Sequence, residues 1–191
     1  MKSFAAFTII AALTPLTSAE VLLHIDLSVH KKLTITATEG LSANTITGRN
    51  LIGIYLEGLN GNNTNIGVEN STDFSNLTSA SNPADTYPLI EAHAIDSGLN
   101  IWALSTDNEL DFTESQRAFT GTATWDLTTS AWESLLAGTK TGNIYFPARY
   151  SQDLDQAAFL GTYQVIPSPS SFVPFTLLAL AITRRKRIQA T

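Results

Sequence analysis

Alternation of apolar and polar positions starts at residue 21. Val21, Leu23, Ile25, Leu27 and Val29 interleave with Leu22, His24, Asp26, Ser28 and His30, the two-residue period of a half-buried strand. Leu33, Ile35 and Ala37 continue it between Lys32, Thr34, Thr36 and Thr38, which predicts a second strand. The intervening Ser28 to Lys31 is short enough for a hairpin turn, although it lacks the usual Gly or Asn-Gly. Further strands are predicted over 51–57, 99–105, 122–127, 143–148 and 162–166. In the 122–127 run Ala123, Trp125 and Leu127 share one face, so Trp125 reads as core. Gly and Asn cluster between the runs, at Gly48, Gly58, Gly61, Gly98, Gly121, Gly142 and Gly161, as turn residues do.

One segment breaks the period. Ser130-Ala-Trp-Glu133 fits a capping box, with Ser130 as N-cap and Glu133 reaching back. Leu135, Leu136 and Ala137 follow, and Gly138 is placed to close the helix in the left-handed conformation. The expected helix is about two turns long and closes one end of the fold through Trp132 and Leu136. Residues 58–98 show the weakest pattern. So long a structureless stretch is unusual in a compact domain, so short strands are expected near 66–68 and 89–92. The whole reads as all-β: an antiparallel β-sandwich, jelly-roll-like arrangements included, with one short helix.

The two ends carry a different pattern. Met1-Lys2 precedes an apolar stretch from Phe4 to Leu16, and Thr17-Ser18-Ala19 puts small residues before a cut. This is the form of a secretory signal peptide, residues 1–19, cleaved between Ala19 and Glu20. At the other end, Pro167-Ser168-Pro169 is followed by an apolar run over 172–182 and by Arg184, Arg185, Lys186 and Arg187. Eleven residues at 1.5 Å each cover only about half of a hydrocarbon core roughly 30 Å thick. The run is therefore a marginal stop-transfer element, with the four cations held in the cytoplasm.

That order of elements resembles the PEP-CTERM sorting signal of Gram-negative bacteria, over about the last 26 residues of the chain. Where the family usually has Glu between the two prolines, this chain has Ser168. The resemblance implies export, holding by a short C-terminal transmembrane segment, and processing by an exosortase-type enzyme. It also implies a final location at the cell surface or in an extracellular polysaccharide or biofilm matrix. An ordinary C-terminal membrane anchor behind a Pro/Ser hinge is the alternative. The expected organisation is a signal peptide (1–19), an ectodomain (20–164) and a sorting segment (165–191).

Charge and chemistry narrow the ectodomain. Between residues 20 and 166 there are six basic residues (Lys31, Lys32, Arg49, Arg117, Lys140, Arg149) and all seventeen acidic ones, so the net charge is 6 − 17 = −11. So acidic a domain argues against nucleic acid and anionic membrane surfaces as partners of the domain itself. No cysteine is present, so stability rests on packing rather than disulfides. His24 and His30 fall about 20 Å apart on an extended strand and read as surface residues. No nucleophile elbow, His-Glu-x-x-His or phosphate-binding glycine loop is present, and the domain is expected to be non-catalytic and to need no cofactor. Asp107, Glu109 and Asp111 place oxygen ligands at alternate positions, the best Ca²⁺ candidate, but without the glycine and final Glu of an EF-hand loop. A solvated acidic loop explains the same residues. The same acids, with Glu114, could supply the paired carboxylates of a secreted glycan hydrolase. Tyr55 and Trp102 are the candidate stacking residues for a glycan, which makes a carbohydrate-binding module of the matrix the second functional reading.

Overall fold

A computed structural model describes residues 19–49, 53–62, 66, 69–70, 74–84, 86–92, 97–103, 109–148, 154 and 157–166. The signal peptide, the Pro167-Ser168-Pro169 motif and the basic tail lie outside the described residues. So do Asp107 and His93.

Among the described residues there are fourteen strands and one helix. They are β1 (Val21–Asp26), β2 (Lys32–Ala37), β3 (Ile46–Arg49), β4 (Ile54–Glu57), β5 (Glu69–Asn70), β6 (Phe74–Ser75) and β7 (Thr78–Ser79). β8 (Leu89–Ala92), β9 (Gly98–Trp102), β10 (Glu109–Phe112), β11 (Phe119–Thr120) and β12 (Thr122–Asp126) precede the helix α1 (Thr129–Ala137). β13 (Thr141–Phe146) and β14 (Ala158–Ile166) follow it. Ten strands form one curled sheet in the order β5-β8-β9-β4-β13-β14-β1-β2-β12-β6, and β10-β3 and β11-β7 form two small ribbons. The fold is all-β with one short helix, as the alternation predicts. Every pairing in the large sheet is antiparallel except one: the first strand, β1, lies parallel to the last, β14.

Alternation decides what faces the core. Val165, Ile25, Ile35 and Ala123 stand opposite one another across four central strands. Ile90, Ile101 and Ile54 do the same across β8, β9 and β4. The ribbons close over this face, where Phe112 of β10 packs edge-on against Phe146 (5.2 Å between ring centres) and Phe119 (5.3 Å). Trp125 is fully buried and its Nε1 donates to the Pro88 carbonyl (2.8 Å).

Several local expectations are corrected. Leu22, on the predicted polar face, is buried, because the β1–β14 register shifts between Val21 and Leu23. The β1–β2 turn closes without glycine: Lys31 takes φ 60°, and Lys32 N donates to the Val29 carbonyl (3.1 Å). A non-glycine residue there costs about 1 kcal/mol. The helix starts earlier than the capping box implies. Thr128 is the N-cap, its side chain accepting from Ala131 N (3.2 Å), and Ser130 lies inside the first turn. Gly138 is extended (φ −69°, ψ 173°) rather than left-handed. A side chain there would run into the Leu59 backbone, so close approach explains the glycine. The helix packs through Ala131, Ser134 and Leu135, while Leu136 is exposed. Five strands lie where none was predicted: β3, β6, β7, β10 and β11. Gly161, expected as a break, lies within β14.

Candidate functional site

The sheet face turned away from the core divides into two chemistries. Across β1, β2 and β12 it is polar. Thr34 and Thr124 stand opposite with hydroxyls 3.2 Å apart, and Thr122 Oγ1 donates to Thr36 Oγ1 (3.3 Å). His24 is half-buried on the same face, opposite Thr36 and Gln164. His30 is exposed in the turn, its ring edge-on to Trp132 at 4.8 Å.

Across β8, β9, β4, β13 and β14 the face carries a transverse row: Glu91, Asn100, Tyr55, Tyr145 and Phe159 occupy successive opposed positions. The Tyr55 and Tyr145 rings stack at 6.3 Å, and Tyr145 meets Phe159 edge-on at 6.0 Å. One step along the strands, Asn143 Nδ2 donates to Glu57 Oε2 (2.8 Å) and to the Tyr145 hydroxyl (3.2 Å). Asn100 Nδ2 donates to the Ala148 carbonyl, while Asn100 Oδ1 is buried with no hydrogen-bond partner among the described residues. Burial lifts the Glu91 carboxyl above its ordinary value.

This face holds both glycan candidates but does not present them as predicted. Tyr55 is 1% exposed, and a side chain at Gly98 would overlap its ring. It is a packing residue, not a contact surface for sugar. Trp102 is half-buried, with Nε1 enclosed and unpartnered among the described residues. Among the described side chains no Trp, Tyr or Phe is exposed, so the row is a half-covered band rather than an open stacking platform. Tyr145 and Phe159 were not singled out by sequence. The Asn143-Ile-Tyr-Phe146 alternation, with Ile144 and Phe146 inward, is the signal that points to Tyr145.

The acidic stretch is also recast. Glu109 and Asp111 belong to strand β10 rather than to a loop, opposite Arg49 and Thr47. Leu110 and Phe112 are buried and Asp111 is exposed, so the spacing of these acids reflects a strand's alternation. Among the described residues no group of three or more His, Asp or Glu side chains is arranged to hold a metal. Glu114 lies elsewhere, on a cleft of about 510 Å³ between the start of β1 and the 41–44 and 114–115 segments, which Glu20, Ser42, Asn44 and Phe159 also line.

No protein-family model, curated protein or solved structure matches this chain.

One ionisable group is strongly perturbed. The Tyr163 hydroxyl donates to the Glu57 carbonyl (2.6 Å) and lies 2.7 Å from Thr139 Oγ1. Burial pushes its pKa up to about 12, the Glu57 charge adding to the rise and the Thr139 bond opposing it. Tyr163 is fully buried, and its bonds join β14 to the end of β4, a structural role.

Proposed function

We propose that this is an exported, non-catalytic protein of the cell surface or extracellular matrix, delivered there by its C-terminal sorting segment. One observation supports the reading above others: the fold fills the interval between the two sequence signals. β1 begins at Val21, two residues after Ala19, and β14 ends at Ile166, directly before Pro167. These two strands pair at the centre of the sheet. Glu20 already belongs to the fold: its carbonyl accepts from Thr162 N (2.9 Å) and Oγ1 (3.0 Å), and its carboxylate accepts from Leu41 N (2.6 Å). A cut after Ala19 removes none of these bonds, and a cut near Pro167 to Pro169 leaves β14 whole.

The order of events follows. The signal peptide directs export, and the domain folds outside the inner membrane once β14 has emerged to pair with β1. The apolar run at 172–182 pauses in the bilayer with Arg184 to Arg187 inside. A membrane enzyme of the exosortase type then cuts beside the domain. Fractionation tests this: the chain with its tail is expected in the membrane before release, and a chain ending at or near Pro167 to Pro169 in the soluble exported fraction. Equal distribution of the two forms would remove the tail from the account.

A further inference from the structure

Four large apolar side chains are exposed among the described residues: Val29 (56%), Ile166 (41%), Leu41 (39%) and Leu136 (38%). Topology puts three of them at one end of the sheet. Asp26 at the end of β1 lies opposite Ile166 at the end of β14, and the turn bearing Val29 follows directly. Leu127 N donates to the Lys31 carbonyl (2.7 Å), which brings the start of α1 to the same turn, where Trp132 meets His30. The far end of α1 returns to β14: Lys140 Nζ donates to the Leu136 carbonyl (2.6 Å), and Val165 N to the Lys140 carbonyl (2.8 Å). Leu41 sits at the opposite end, beside Glu20.

Charge divides along the same axis. The charged residues on these turns and on α1 are Lys31, Lys32 and Lys140 against Asp26, Asp126 and Glu133. Lys32 pairs with Asp126 at 3.2 Å, and Asp26 Oδ1 accepts from Ser28 N (2.8 Å). Three cations cancel three anions, so the domain's net −11 falls on its other residues. A further acid at this end, Glu57 at the close of β4, has its carboxylate bound by Asn143. Counting it, this end carries 3 − 4 = −1 of the domain's −11, and it is studded with apolar side chains and lysines, whose stems and charges suit a water–lipid boundary.

Chain length says what meets this end. From Ile166 to the start of the apolar run at Phe172 is six residue steps, about 20 Å even if fully extended. We infer that this end of the domain docks on the bilayer surface while the tail is inserted, with Val29, Leu136 and Ile166 entering the headgroup region beside Lys31 and Lys140. The inference rests on the tail insertion proposed above. It assigns the sheet end a role as a spacer that holds the 167–169 segment at the membrane surface, where a membrane enzyme can reach it.

The absence of cysteine in the chain makes the test direct. Single-cysteine variants of the full chain, Val29→Cys, Leu136→Cys, Leu41→Cys and Leu178→Cys, each take a fluorescent label. They are reconstituted in phosphatidylcholine vesicles containing one-quarter phosphatidylglycerol, with spin-labelled lipid as quencher. Labels at 29 and 136 are expected to show at least half the quenching seen at 178, with 41 at background. Quenching at 178 but background at 29 and 136, or equal quenching at 41, would overturn the docking and leave tail insertion standing. Background at 178 would overturn tail insertion and the docking with it.

Discussion

The two ends of the large sheet are built on opposite principles. The end that receives the start of the chain is clasped by polar bonds. Glu20 binds Leu41 and Thr162, and Arg117 reaches Glu39 (2.9 Å) while its Nε donates to the Phe119 carbonyl (3.0 Å). Gly121 turns the chain between β11 and β12 with φ 86°. The end where β14 finishes has polar bonds of its own, Tyr163 to Glu57 and Lys32 to Asp126 among them, but it is capped by one helix and leaves Val29, Leu136 and Ile166 outside. The contrast teaches that the domain's large negative charge is a property of the whole and not of each surface. An acidic composition argues against an anionic membrane as partner for the average surface, and one nearly neutral, apolar end is enough to change that for a molecule held there.

The largest loss of stability is expected at the end where β1 starts. Gly121→Val puts a side chain into the Asn76 backbone at a positive φ, where strain and overpacking together cost about 4 kcal/mol. Denaturant unfolding should show most of the domain's stability gone. A fall of less than about 1 kcal/mol would show that this turn is not a fixed clasp.

At the tail end, neighbouring leucines should separate stability from surface function. Leu135 is fully buried and Leu136 is 38% exposed. Leu135→Ala is expected to cost about 3 kcal/mol, and Leu136→Ala to stay within about 0.5 kcal/mol, both read from thermal or denaturant midpoints. Equal costs would mean that Leu136 is a packing residue and not an open surface.

Tyr163 gives a pH signature. Its folded pKa, about 12, exceeds the usual value near 10. The unfolded chain therefore loses this proton first as pH rises. The stability it contributes is complete below pH 10 and is lost between about 10 and 12, by about 2 kcal/mol. Tyr163→Phe should flatten that part of the stability–pH curve. The smallest effect is expected at the helix start, where Thr128→Ala removes the cap and costs about 1 kcal/mol. Ser130→Ala, which the capping-box reading would make the damaging change, should cost less.

What was legible follows from how far each signal acts. Strands with strict alternation, β1, β2 and β12, could be read with their core faces because one face is buried and the other polar. Trp125 in the core follows directly. β10 was hidden because Asp107 to Asp111 reads as a charged loop until Leu110 and Phe112 are seen to be its inward residues. β3 was hidden because Ile46 is the only large apolar residue in a Thr- and Gly-containing run. The burial of Tyr55 depends on the absence of a side chain at Gly98, more than forty positions away in the chain, which no local pattern reports. The apolar end is assembled from residues 29, 136 and 166. Only the parallel pairing of β1 with β14, and the helix that bridges back to them, brings those together.

Delivery of this domain between two removable segments can be read from the mass of the intact protein in the surface fraction of its native host. The expected chain begins at Glu20 and ends within a few residues of Ile166, at or near Pro167 to Pro169. A chain still ending at Thr191 in the membrane fraction would contradict that delivery, and would leave a tail-anchored surface domain in its place.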